Sequence, residues 1–262
     1  MFRELASSEL KTILHNIDRE QHFLYYSYLT FRKQHTVHYG QFSEEGELIG
    51  VLAYLRGLPF YAFSVYPIQP SFDLKSLLAY AKEQLQLPDD AIGSFIVNEA
   101  EMKSLASQLA FVQTPKQLLL MKHVDADALP SMDKQVLDLG PPYYKKIESK
   151  MVELNTMAFT REELHYPFYG VVEQSDLIAV GGYHVYSQDY VELGNIGTDA
   201  AWRRRGLGKK ISVELTRRGR SRAADVYLNV LEENEGAIRL YQSIGYEVIC
   251  RQYIAEFLIQ KV

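Results

Sequence analysis

Ile196-Gly197-Thr198-Asp199-Ala200-Ala201-Trp202-Arg203-Arg204-Arg205-Gly206-Leu207-Gly208-Lys209-Lys210 is the stretch on which the fold turns. The run from Tyr190 to Thr198 reads as a strand, and Arg204 to Arg220 reads as the helix that follows a short loop. Two glycines in that loop let successive backbone N–H groups face one concavity, because no Cβ blocks approach. The helix start adds unpaired donors and partial positive charge. Arg204, Arg205 and Lys209 surround it with cations, so the loop is suited to a pyrophosphate.

Three phosphate-binding patterns compete. A P-loop needs a glycine where Arg203 stands and a Ser or Thr where Lys210 follows Lys209, so it fails. A dinucleotide fingerprint needs a third small residue where Ile211 stands. The third pattern is Arg203-x-x-Gly206-x-Gly208 after a strand. A second motif lies downstream: Leu228-Asn229-Val230-x-x-x-Asn234-x-x-Ala237-x-x-Leu240-Tyr241-x-x-x-Gly245-Tyr246. There Val230 ends a strand and Asn234 caps a helix. Ala237, Leu240 and Tyr241 share one helix face, and Gly245 suits a left-handed helix end.

These two motifs, in this order, resemble the acyl-CoA loop and following helix of the GCN5-related N-acetyltransferase (GNAT) family. The resemblance covers residues 132 to 262 in element order. It implies a cofactor, acetyl-CoA, whose pantetheine lies between two splayed parallel strands, Tyr190–Thr198 and Asp225–Leu231. Cofactor binding would then fall to Ile196, Gly197 and Thr198 on the strand and to Arg203, Arg204, Arg205, Gly206, Leu207, Gly208 and Lys209 around the diphosphate. Asn229 and Asn234 would line the cofactor arm. Gly194 and Gly197 are candidate bulge residues that help the strand splay.

The implied reaction is direct attack of a neutral amine on the thioester. A backbone N–H near Ile196 would stabilise the developing oxyanion. Tyr241 matches the family tyrosine that returns a proton to the departing thiolate, phenol and thiol pKa values being about two units apart. A plain core aromatic is the other reading of Tyr241. Some relatives place a basic glutamate where this chain has Asn229, which cannot act as a base. Glu192, on the strand before the loop, is the first choice of base, with His184 or a water relay as alternatives. His165-Tyr166-Pro167 lies in a loop where family members often admit the acceptor.

The first half repeats the second. Tyr39-Gly40 and then Ile49-x-Val51-x-x-Tyr54 match Tyr169-Gly170 and then Ile178-x-Val180-x-x-Tyr183, a duplication with a period near 130 residues. The loop equivalent, Tyr66-Pro67-Ile68-Gln69-Pro70-Ser71-Phe72-Asp73, has no glycine or arginine, and its two prolines remove amide donors. The helix after Asn98 carries Ser104 and Leu105 where a tyrosine is expected. The expected architecture is α/β: two tandem acetyltransferase-like domains, each a twisted mixed sheet flanked by helices. Residues 1–125 form a degenerate domain, 126–133 a linker containing Pro130, and 134–262 the catalytic domain.

Composition agrees. At 262 residues the chain exceeds one default core, and its 47% hydrophobic content fills two. A net charge of −5 disfavours nucleic acid and suits a cationic acceptor. The run Arg217, Arg218, Arg220, Arg222 reads as a helix end favourable to the helix dipole. The single cysteine, Cys250, precludes an internal disulfide or a cysteine-rich zinc site, and no metal is expected. No apolar window reaches membrane-spanning length and the opening residues lack a signal-peptide core, so a cytoplasmic location and no membrane partner are expected. The acceptor would be a primary amine on a small molecule, peptide or protein, and the chain a monomer or homodimer. The alternative function is a non-catalytic acyl-CoA-sensing module. A transferase drawing on aminoacyl-tRNA fits the paired halves but not the intact CoA loop or the acidic charge.

Overall fold

The computed structural model describes residues 1–156 and 159–259. Apolar residues at helical spacing near the start give α1 (Ser7–Asn16) and α2 (Phe23–Leu29), preceded by the short β1 (Phe2–Glu4). The alternating runs that follow form β2 (Thr36–Phe42), β3 (Leu48–Leu55) and β4 (Tyr61–Pro67). Next come α3 (Leu74–Leu85), β5 (Ile92–Asn98), α4 (Glu99–Leu105), β6 (Ala110–Phe111) and β7 (Lys116–His123). The second series is β8 (Leu137–Asp138), α5 (Tyr144–Glu153), β9 (Tyr169–Glu173), β10 (Asp176–Tyr186) and β11 (Val191–Thr198). It closes with α6 (Leu207–Arg222), β12 (Val226–Leu231), α7 (Glu235–Gln242) and β13 (Tyr246–Leu258).

The chain divides into two compact units. The first comprises Met1–Leu118 and Cys250–Val262, and the second Leu119–Ile249. The sequence reading placed the division at 126–133 and kept 134–262 together. The difference lies in two strands. Leu119–His123 at the end of β7 belongs to the second unit, and the latter part of β13 belongs to the first, where Gln252 to Leu258 pair with Asn98 to Ile92. Sheet pairing satisfies backbone donors wherever a partner edge is available, and a chain-order reading of alternating runs does not specify the edge.

Each unit carries the same order. In the first it is β1-β2-β3-β4-β5-β13, and in the second β8-β9-β10-β11-β12-β7. In both, an antiparallel meander meets its next neighbour in parallel, through α3 or α6. The helix after each parallel strand is capped by an asparagine side chain, Asn98 for α4 and Asn234 for α7. Seven residues beyond each cap stand Leu105 and Tyr241, both buried. These correspondences are the structural form of the duplicated pattern.

In the second unit the sheet is packed on both faces. Ile211, Leu215, Leu228, Val230, Tyr241 and Ile196 lie on the face covered by α6 and α7. Ile147, Met151, Leu164, Phe168 and Val180 lie on the face covered by α5. Each fully buried aliphatic or aromatic side chain contributes about 1.5–3 kcal/mol relative to exposure, which holds both helical layers against the strands that carry the site.

Candidate active site

The site begins where two parallel strands part. β11 and β12 pair at Val191↔Val226, Glu192↔Tyr227 and Leu193↔Leu228, and pairing ends there. The cause is a bulge in β11: Gly182 faces Gly194 and Val180 faces Gly197, leaving one extra residue on β11. The bulge conformation falls on Asn195, at φ 57°, and not on Gly194 or Gly197. Asparagine tolerates the left-handed region because its short amide can be held locally. The two glycines serve close approach. A Cβ on Gly194 would lie 2.2 Å from the His184 ring, and one on Gly197 would lie 2.3 Å from Leu154.

The bulge sets which groups face the gap. Asp199 donates its N–H to Ile178 of β10 at 2.9 Å. By strand alternation Gly197 points the same way, so the backbone groups of Ile196 and Thr198 point toward the parted side. Alternation also places Glu192, Gly194 and Gly197 on the α5 face, with Ile196 on the opposite, α6 and α7, face. The bulge thereby breaks the strict alternation that would otherwise put Glu192 and Ile196 on one face.

The loop beyond β11 turns through Arg204 at φ 63° and Gly206 at φ 77° into α6. The first backbone bond of the helix runs from Lys210 N–H to Gly206 O at 3.1 Å. The amides of residues 204–209 find no acceptor among the described residues. A Cβ on Gly206 would meet nothing within 4 Å, and one on Gly208 would touch only Leu240 at 3.6 Å. Internal packing therefore does not demand glycine at 208. The open cradle of unpaired donors fits a diphosphate, and an added Cβ would project into it.

The expected cations are used unequally. Arg204 has no partner among the described residues. The Arg203 Nε donates to Thr198 O at 3.1 Å, fastening the loop to the end of β11 and occupying a carbonyl that the pantetheine was expected to meet. Arg205 lies over Trp202, 4.5 Å from the ring centre. Lys209 Nζ donates to Ser243 Oγ at 3.0 Å, and Leu207 turns its side chain into the core. Asn234 accepts the Ala237 N–H at 3.2 Å as a helix cap.

Glu192 is buried, and its Oε1 accepts from Asn229 Nδ2 at 2.9 Å. Among the described residues, Asn229 Oδ1 has no partner, nor does the buried Asn195 Oδ1. Two orphaned acceptors beside the gap would each be satisfied by a donor from outside the chain. Tyr241 is buried in the core on the α7 face, and burial pushes its phenol up to about 12.

Sequence reasoning missed Glu163. It lies in the short helical turn Arg161–His165, just before the His165-Tyr166-Pro167 stretch. Its Oε1 pairs with His184 Nδ1 at 3.1 Å and its Oε2 accepts from Asn195 Nδ2 at 2.7 Å. Sequence reasoning also missed Lys150 of α5, which meets Asp199 at 2.6 Å and Glu153 at 2.7 Å. No local signal marks either residue, since a lone acid or lysine on a short polar segment reads as solvated surface. The basic helix end is committed internally: Arg217 donates to Pro130 O and Arg218 to Glu214, Arg220 approaches His123, and Arg222 lies over Tyr186.

The first unit has the same parting but fills it. β4 and β5 pair only at Tyr61↔Gly93 and Ala62↔Ser94. Beyond that, Tyr25 stacks on Tyr66, His22 packs edge-on to Tyr66, and Asn98 bonds Gln21 O. The first-turn amides of α3 are taken by side chains of the chain itself: Leu74 N–H by Gln108 at 2.7 Å and Ser76 N–H by Asp73 at 3.0 Å. Among the described residues, the start of α3 thus offers no cradle like that at 204–209.

Among the described residues, no helix is long and apolar enough to cross a membrane. Among the described residues, no group of three or more His, Cys, Asp or Glu side chains is placed to hold a metal ion.

Known proteins match this geometry. The family model for the acetyltransferase (GNAT) family matches residues 134–246. No curated protein sequence matches the chain. A Drosophila protein of solved structure aligns at 15% identity over 100% of this chain and 99% of its own, with a TM-score of 0.68. A tandem GNAT protein from the clavulanic acid biosynthesis pathway aligns at 15% identity over 99% of this chain and 98% of its own, TM-score 0.65. An acetyltransferase from the GNAT family of Colwellia psychrerythraea aligns at 18% identity over 98% of this chain and 99% of its own, TM-score 0.59. At such identities the likeness is one of fold, and it extends through both halves. The parted strands, the glycine cradle and the matched family model together make residues 134–246 a domain of the GNAT acetyltransferase family, set in a chain whose first half repeats the same fold.

Proposed function

We propose that this protein transfers an acetyl group from acetyl-CoA to a primary amine of a small molecule, peptide or protein. The observation that carries the reading is the cradle at 204–209, whose amides find no acceptor among the described residues and whose glycines leave open space beside a parted strand pair. Amides 204–209 with Arg204 would hold the diphosphate, and the backbone of Ile196 and Thr198 would line the pantetheine slot. Bound acetyl-CoA would supply the acyl group as an electrophilic thioester whose sulfur departs as a thiol.

The proton chemistry divides between the two faces of the sheet. Glu192, on the α5 face, is the proton acceptor, with Oε1 steadied by Asn229 Nδ2. Tyr241, on the opposite face, is the proton donor, and with its pKa near 12 it keeps its proton at neutral pH. The burial that weakens the phenol as an acid also raises the basicity of a thiolate in the same dry space, so the two remain matched. Neither Glu192 nor Glu163 pairs with a lysine or arginine among the described residues. The buried carboxyl of Glu192, whose only side-chain bond among the described residues is to an amide, favours a cationic visitor, as an ammonium acceptor is before it loses its proton.

Thiol release from acetyl-CoA, followed across a panel of primary amines, tests the reading. Amine-dependent release supports transfer. Micromolar acetyl-CoA binding with no release for any amine would instead favour an acyl-CoA sensor.

A further inference from the structure

One carboxylate fastens two strand irregularities at once. His184 is the extra residue where β10 slips register between Tyr183↔Leu193 and Val185↔Glu192, and Asn195 is the left-handed residue of the bulge in β11. Glu163 reaches both from outside the sheet, at 3.1 Å to His184 Nδ1 and 2.7 Å to Asn195 Nδ2, with only 6% of its surface exposed. Gly194 completes the arrangement, because only a residue without a Cβ lets the His184 ring lie across it.

We propose that Glu163 is a positioning residue that holds the β11 bulge open, and so fixes the Ile196 and Thr198 backbone at the parted side. The inference rests on the acetyltransferase reading for the ligand that the slot receives. Inside a strand, a non-glycine residue in the left-handed region breaks the ladder and is held there by its surroundings. Among the described residues, the only side-chain bond that Asn195 makes is the one from its Nδ2 to Glu163. Without that bond the strand relaxes toward regular pairing, which rotates the 196 and 198 amides away from the gap. Glu163 stands in the turn before His165-Tyr166-Pro167, so ordering of that loop and the shape of the cofactor slot are linked through one side chain.

The test uses the full chain and two readouts: acetyl-CoA affinity by calorimetry, and backbone hydrogen exchange of segment 193–199 without ligand. Glu163→Ala should weaken acetyl-CoA at least tenfold and speed exchange of the segment at least tenfold, leaving Ile211–Leu215 in α6 unchanged. Glu163→Gln, which still offers an oxygen to Asn195 Nδ2, should stay within twofold of the parent in both. Asn195→Asp, which removes the donor, should resemble Glu163→Ala. Adding Glu163→Gln to it should restore affinity, since the glutamine amide then donates to the aspartate. Parent-like affinity and exchange in Glu163→Ala, or a failure of the reciprocal pair to recover, would overturn the proposal. If the parent does not bind acetyl-CoA the family reading fails, and hydrogen exchange alone still decides the role of Glu163.

Discussion

Replacing Gly208 by alanine should move stability and ligand affinity in opposite directions. Gly208 is the second residue of α6, with an ordinary helical backbone, and an added Cβ would meet only Leu240 Cδ1 at 3.6 Å, an ordinary contact. Glycine within a helix is less favourable than alanine by about 0.5–1 kcal/mol. The ligand-free variant should therefore melt about 1–4 °C higher for a chain of this size. The same methyl projects into the cradle where amides 204–209 are unpaired. Displacing a phosphate oxygen from one charge-assisted hydrogen bond costs about 1.5–3 kcal/mol, or roughly ten- to a hundredfold in Kd. Differential scanning calorimetry and isothermal titration with acetyl-CoA read the two effects on one preparation. A Kd within twofold of the parent would refute the reasoning, because the cofactor would then pass elsewhere. A lowered melting temperature would show that the space is not open.

Three further outcomes follow from the geometry. Tyr241→Phe should lower kcat by about 10²–10⁴, the usual worth of a positioned acid, while acetyl-CoA affinity by calorimetry stays close to the parent; equal turnover would make Tyr241 a core aromatic only. Glu192→Gln keeps an oxygen for Asn229 Nδ2, so the fold and cofactor affinity should hold while kcat/KM for the amine falls about 10²-fold or more, measured by thiol release; unchanged kcat/KM would move the base to His184 or water. His38, buried in β2 with no partner for Nε2 among the described residues, is pushed by burial from its usual 6.5 to about 4. Below pH 6.5 the unfolded chain takes up a proton that the folded one refuses until about pH 4, so stability should fall by roughly 3 kcal/mol across that interval. Urea melts of the parent against His38→Gln should show the variant with a flatter slope.

The cradle was legible because its physics is local: two glycines one residue apart at a strand-to-helix turn, Gly206 and Gly208, leave backbone donors open to approach. The Asn234 cap, the left-handed Gly245 at φ 94° and the meander of β9 to β11 were legible for the same reason. The bulge was assigned to glycines because glycine is the residue with the least steric objection. It falls on Asn195, whose conformation depends on a carboxylate 32 positions away. Glu163 and Lys150 were invisible for the same reason, since their partners are brought together only by the fold. The exchanged ends of β7 and β13 were also out of reach, because alternation marks a strand without naming its neighbour.

The emptiness of the first half was readable in part. Pro67, Pro70 and the missing arginines of the loop equivalent argued against a phosphate cradle. That Gln108 and Asp73 occupy the first-turn donors of α3 required the fold. Leu105 stands at the position that Tyr241 takes in the second unit, so no phenol occupies that place.

Crystallised with coenzyme A, the protein should show diphosphate oxygens within hydrogen-bonding distance of the amides of residues 204–209, and the pantetheine arm running between β11 and β12 beside Ile196 and Thr198. Coenzyme A bound at the start of α3 in the first unit, or bound to the second unit without touching that loop, would contradict this placement.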